Sequence, residues 1–247
     1  MSTLPNLGGT RSANERDHFL STPETFVRIP LPGMKKALAI VHVSPAAGAA
    51  FTQYTAEMES GGELGPALGQ RFVYVLDGVI EVKVQKSTMN IKSDGYAYLP
   101  ASAEHTIASR GKSRIAVIEK IYKPLPDVAE ASVLAGSERL VKSTALNGDK
   151  DLQVRALLPD SFEHDFAVNT MSYQPGAALS QVEIHVMEHG LLMLEGGGIY
   201  RLGDKWYPVT AGDFIWMAPY CPQWFGAIGK KPAKYLIYKD WNRHPLA

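Results

Sequence analysis

Apolar residues occur along the chain in short runs rich in Val, Ile, Tyr and Phe, separated by turn residues. Runs of this length read as strands rather than long helices, because β-branched and aromatic side chains suit a pleated, half-buried surface. The clearest are Ala37–Val43, Phe72–Leu76, Val79–Val84, Leu191–Leu194 and Phe214–Met217. With 22 Gly and 16 Pro to supply tight turns, the pattern predicts an all-β chain.

The pattern also repeats. Phe72-Val-Tyr-Val-Leu-Asp-Gly78 falls onto Gly190-Leu-Leu-Met-Leu-Glu-Gly196 at an offset of 118 residues, and the same offset brings Ile91–Pro100 onto Val209–Ala218 without a gap. Each copy reads as strand, turn at an acidic-Gly pair, strand, turn, strand, so the chain is expected to hold two copies of one β-domain. Residues 1–33, with Gly8-Gly9, Pro23, Pro30 and Pro32, read as an extended N-terminal arm rather than a core element. The copies then span 34–123 and 151–247. Between them, 124–150 reads as a linker that starts at Lys123-Pro-Leu-Pro126 and runs through Asn147-Gly-Asp-Lys150.

Composition narrows the function class. The 247 residues carry 25 Lys+Arg against 25 Asp+Glu, a formal charge of zero. No basic surplus exists to neutralise phosphates, which argues against a nucleic-acid or anionic-membrane role. A lone Cys221 excludes an intramolecular disulfide framework, and no apolar run approaches the roughly 18 residues of a membrane span. The N-terminal residues show neither a basic region nor an apolar run, so the expectation is a soluble protein of a reducing compartment, the cytoplasm.

Candidate chemistry sits in Gln181-Val-Glu-Ile-His-Val-Met-Glu-His-Gly190. Read as a strand, this segment puts Glu183, His185 and His189 on one face and Val182, Ile184, Val186 and Glu188 on the other. Further on, Gly212 is followed by Pro219 and, eleven residues after the glycine, by Gln223. The two stretches resemble the paired motifs of the cupin superfamily: two ligands two apart, a third four later, a Gly seven beyond (Gly196), then a Gly-to-ligand stretch. Glu stands where the first His is usual, His where the Glu is, and Gln where the last His is. With those departures, Gly198-Ile-Tyr-Arg-Leu202, Trp206–Val209, Ala211–Asp213, Pro222–Trp224, Tyr235–Asp240, Asn242-Arg243 and, more loosely, Thr10-Arg11, the chain resembles the ureidoglycine aminohydrolase family.

That resemblance implies a bicupin, two tandem double-stranded β-helix (jelly-roll) barrels, that hydrolyses (S)-ureidoglycine to (S)-ureidoglycolate and ammonia in the breakdown of allantoin and other purine-derived ureides. It implies bound Mn2+ on Glu183, His185, His189 and Gln223, and substrate and acid/base roles for Tyr235 and Lys239. Two nitrogen and two oxygen donors suit Mn2+, Fe2+ or another divalent metal better than a thiolate set would. Glu183 and Gln223 face the substrate as ligands; Lys239, beside a cation, is expected to have a depressed pKa, and Glu183 is a second possible base. A homo-oligomer is expected as well.

Plainer readings stand beside these. His185 and His189 alone are two strand histidines, and His185-Val-Met-Glu-His189 fits an H-x-x-E-H helix, which Gly196-Gly-Gly198 interrupts. Trp206, Trp216 and Trp224 read as barrel packing, and Cys221 as a bystander with no local His partner. The offset of 118 maps the ligands onto Gly65, Ala67, Arg71 and His105, and neither His42 nor Glu104 rebuilds a set, so the N-terminal copy is expected to bind no metal. Competing classes are another metal-dependent cupin enzyme, an oxygenase or isomerase, and a ligand-binding or storage bicupin.

Overall fold

The computed structural model describes residues 8–246. The chain enters through β1 (Ala13–Asn14) and β2 (His18–Ser21). The first barrel is built from β3 (Lys35–Val43), β4 (Thr52–Glu63), β5 (Gln70–Asp77), β6 (Val79–Val84), β7 (Ser87–Lys92), β8 (Gly95–Leu99), β9 (His105–Ser109) and β10 (Ser113–Lys120). After β11 (Leu134–Ser137) and β12 (Thr144–Leu146), the second comprises β13 (Asp149–Ala156), β14 (Phe166–Tyr173), β15 (His189–Glu195), β16 (Gly197–Leu202), β17 (Lys205–Thr210), β18 (Phe214–Met217), β19 (Gln223–Ala227) and β20 (Ala233–Asp240). Among the described residues the only helical pieces are three short 3-10 turns, so the all-β, two-copy expectation is met.

The repeat holds strand by strand. β6, β7 and β9 return 118 residues later as β16, β17 and β19 with the same bounds, whereas β10 returns as β20 after 120. Bulges at Arg114/Ile115 and Met193/Glu195 lie where these last strands meet their neighbours. At the acidic-Gly turns, Gly78 and Gly196 both take positive φ (84° and 63°). A Cβ on Gly196 would stand 2.3 Å from the Pro232 carbonyl oxygen, so the turn requires glycine.

Each barrel borrows a strand from the segment preceding the other. β2 pairs antiparallel with β18 of the second barrel (Leu20 opposite Ile215), and β11 pairs with β8 of the first (Leu134 opposite Tyr98). This corrects the reading of the arm as merely extended. His18, Leu20 and Thr22 are buried, because the open edge of β18 accepts β2 and Phe19 stacks on Trp216 at 5.5 Å between ring centroids. Arg11 then grips the fully buried Asp213 through two 2.8 Å hydrogen bonds.

The uninterrupted apolar runs follow from burial on both faces. On β20, Tyr235 and Ile237 face the barrel interior while Leu236 and Tyr238 join a layer between the barrels; β5 divides Val73 and Val75 from Phe72 and Tyr74 in the same way. Fully burying such side chains contributes roughly 1.5–3 kcal/mol each. Polar ties cross the same layer. Glu138 accepts from Tyr74 Oη (2.5 Å), Thr170 Oγ1 (2.9 Å) and Lys234 Nζ (2.6 Å), and Asp165 accepts from Gln70 Nε2 (2.5 Å) and the buried Lys120 ammonium.

Candidate metal centre and active site

The segment carrying Glu183, His185 and His189 is not the continuous strand its alternation predicts. Residues 177–183 run along β19 through bonds such as Leu179 N to Phe225 O (3.0 Å), ending at reciprocal bonds between Glu183 and Gln223 (2.8 and 3.0 Å). The chain then crosses from the three-stranded sheet of β17, β16 and β19 to the sheet holding β15, whose first residue is His189. A regular ladder cannot bridge two sheets, so 184–188 is irregular. Ile184 is exposed rather than packed, and Glu188 is buried.

The crossing nevertheless gathers all four residues at one end of the second barrel. His185 Nε2 lies 2.9 Å from Gln223 Nε2, 3.3 Å from His189 Nε2 and 4.0 Å from Glu183 Oε2. Donors at right angles on one ion, each about 2.1 Å from it, stand about 3 Å apart, and these separations are of that order. The tautomer fits too. His189 Nδ1 faces the Tyr238 carbonyl at 3.1 Å, which can only accept, so Nδ1 carries the proton and Nε2 offers its lone pair to the site. Burial, helped by the neighbouring His185 and Lys239, pushes the His189 imidazolium down to about 3, so the ring is neutral at physiological pH. Tyr200 Oη donates to Gln223 Oε1 at 3.3 Å, and a half-turn of that amide exchanges which atom faces the imidazoles. This donor set fits a divalent metal.

A cavity of about 360 Å³ opens onto the four residues. Tyr235 and Lys239 both line it, from β20. Lys239 lies directly across from His189 in the strand register. Burial lowers its pKa, against opposing pulls from Asp160 and Glu183. Its ammonium sits 4.2 Å from the Trp241 ring centroid, and Trp241 donates to Asp160 at 2.7 Å. Tyr235 is fully buried, its hydroxyl 2.7 Å from that of Tyr173, and burial pushes its pKa well up.

Sequence reasoning missed several lining groups. Leu146 and Asn147, at the tip of the β12–β13 hairpin, overhang the cavity from the segment read as a linker; the Asn147-Gly148 pair, both at positive φ, was the readable signal of a tight hairpin. Asn169 carried none, and Tyr200 stood out only within Gly198–Leu202, one of the stretches that carry the family resemblance. Of the tryptophans, Trp216 packs between the barrels, but Trp206 is exposed and meets Trp224 edge-on at 5.6 Å, which corrects its reading as packing.

In the first barrel, Arg71 occupies the position equivalent to His189. Its fully buried guanidinium donates to Glu119 Oε1 (2.9 Å) and the Gly65 carbonyl (2.9 Å) and lies 3.1 Å from His105 Nε2. A fixed cation therefore stands among the residues that the repeat maps onto the ligands.

Comparison with known proteins agrees with this architecture. A Cupin domain model matches residues 169–238. The probable (S)-ureidoglycine aminohydrolase of Oryza sativa subsp. japonica is 42% identical over 97% of this chain and 78% of its own length, and the (S)-ureidoglycine aminohydrolase of Arabidopsis thaliana is 41% identical over 99% and 83%. The crystal structure of the Escherichia coli protein Ylba, 27% identical, covers 95% of this chain and 96% of its own with a TM-score of 0.85. Identity of 41–42% over 97–99% of this chain and 78–83% of those relatives means that the chain belongs to the (S)-ureidoglycine aminohydrolase family of bicupins.

Proposed function

We propose that the chain hydrolyses (S)-ureidoglycine to (S)-ureidoglycolate and ammonia, with Mn2+ held by Glu183, His185, His189 and Gln223. The observation that carries the reading is the convergence of those four side chains beside Lys239 in a chain related over its full length to enzymes of that name. Bound there, manganese supplies Lewis acidity, attracting the substrate's carboxylate and making water a better nucleophile. The C–N bond to the amine breaks, a C–O bond to water forms, one proton leaves water and one departs with ammonia. Lys239 is the group assigned to that proton traffic, since burial brings its pKa toward the working range. Glu183 is the second acceptor. Tyr235, kept protonated, orients the substrate by hydrogen bonding rather than as a base.

In the same reading the first barrel carries no metal, because the Arg71 guanidinium holds the equivalent place. The chain acts as a cytoplasmic homo-oligomer; the exposed side chains of Val27 and Ile29, the latter paired through its backbone with Ala39 of β3, supply apolar surface for self-association. Among the described residues, no helix is long and apolar enough to cross a membrane. The test is an ammonia-release assay on ureidoglycine generated in place, with metal analysis of the same sample. Ammonia formation above the spontaneous rate is expected; oxygen consumption without ammonia would overturn the reading.

A further inference from the structure

A second group of metal-capable side chains lies outside the cavity. Asp17 and His18, at the start of β2, meet Cys221, in the turn that leads into Gln223. One ligand atom from each lies within 4.8 Å of the others. His18 Nδ1 is 2.9 Å from Asp17 Oδ1 and 4.0 Å from Cys221 Sγ. His18 and Cys221 are buried, while the Asp17 side chain is 45% exposed, which leaves an entry path from solvent. The other face of the imidazole is already oriented, since Nε2 is 3.0 Å from Tyr207 Oη on β17. A cation on Nδ1 would fix the proton on Nε2, donating to that oxygen, which is the outer partner a ligating histidine usually has.

We propose that Asp17, His18 and Cys221 form a second, structural metal site for a thiophilic divalent ion of the zinc class. Edge lengths support it: around a tetrahedral zinc, with bonds of about 2.0–2.3 Å, neighbouring donors stand roughly 3.3–3.6 Å apart, and the two observed separations bracket that range. Besides His18, the thiol contacts the Pro222 carbonyl at 3.6 Å, the Gly203 backbone and the Asp17 side chain. Binding forms a metal–sulfur bond as the thiol proton leaves to solvent, and water completes the coordination. The donor set also separates the two sites by metal, since thiolate selects zinc-like ions while a sulfur-free set of imidazole, carboxylate and amide donors suits manganese. The ion would clasp the arm to the turn behind Gln223, where Ala218 N already bonds Asp17 O (2.9 Å) and Tyr220 N bonds His185 O (2.8 Å).

Because Cys221 is the chain's one thiol, thiolate-to-cobalt charge transfer can arise only here. Metal-free full-length protein is titrated with Co(II) and followed in the near ultraviolet. With two sites taking cobalt, a charge-transfer band that reaches its plateau by two equivalents per chain is expected, lost in Cys221→Ser while the cobalt held by Glu183, His185, His189 and Gln223 remains. A cobalt-saturated wild-type protein with no such band overturns the proposal. In a second measurement, His189→Ala protein loaded with zinc is expected to retain one zinc per chain after desalting; retention of none overturns it too.

Discussion

His42 offers a test of how the layer between the barrels responds to acid. It leaves β3 to stack on Phe214 of the second barrel (ring centroids 4.8 Å apart, 13° between planes), with Nε2 2.8 Å from Thr55 Oγ1 and Nδ1 without a hydrogen-bond partner. Burial, reinforced by Arg114, pushes its pKa from 6.5 down to about 3. A depressed histidine pKa means that the unfolded chain takes up the proton first as pH falls. The stabilisation is therefore present above pH 6.5 and is lost between 6.5 and 3. Between pH 7 and pH 5 the linkage amounts to about 2 kcal/mol, an approximately twenty-five-fold change in the folding equilibrium. Urea unfolding at both pH values, for wild type and for His42→Gln, isolates it: the variant keeps a polar partner for Thr55 but cannot titrate. His105, His164 and His189 are shifted in the same direction and give both proteins a common background. Wild type should lose about 2 kcal/mol more than the variant over this interval. Equal losses would refute the reasoning.

Four other variants have expected outcomes. Lys239→Met should keep its metal and lower kcat for ammonia release by roughly 10²–10⁴-fold, whereas His189→Ala should lose both metal and activity; elemental analysis beside the ammonia assay separates them. Asp165→Leu leaves the buried Lys120 ammonium without its carboxylate and should cost about 3–5 kcal/mol in denaturant unfolding, with a loss below 1 kcal/mol counting against the pair's role. Arg11→Met strips the buried Asp213 carboxylate of its bidentate partner, leaving the Thr210 N–H at 2.9 Å, and should lower stability by about 2 kcal/mol, measured by thermal unfolding.

Local signals in the sequence carried over to the structure because local physics sets them. Hairpins closed by an acidic-Gly turn keep their register, so the 118-residue offset reproduces β16, β17 and β19 residue for residue. It fails at β20, because the connection from β19 (residues 228–232) is two residues longer than its counterpart between β9 and β10 (residues 110–112). The four residues that converge at the end of the second barrel were picked out by residue type and spacing, yet their strand geometry was not legible, since nothing in the alternation of 182–188 reveals a crossing between sheets. Contacts distant in sequence were illegible: His18 meets Cys221 across 203 positions, so the thiol looked isolated. Thr10-Arg11 and Ala211–Asp213 were each picked out, but only folding joins Arg11 to Asp213.

The reciprocal exchange of β2 and β11 bears on synthesis. β2 leaves the ribosome almost two hundred residues ahead of its partner β18. Until then the arm's apolar residues have no sheet edge to join, and the second barrel lacks an edge strand until β2 comes back to it. Neither half expressed alone contains its own outer strand. Joining β2 to β18 is therefore a late, long-range step, of the kind whose loop-closure cost slows folding.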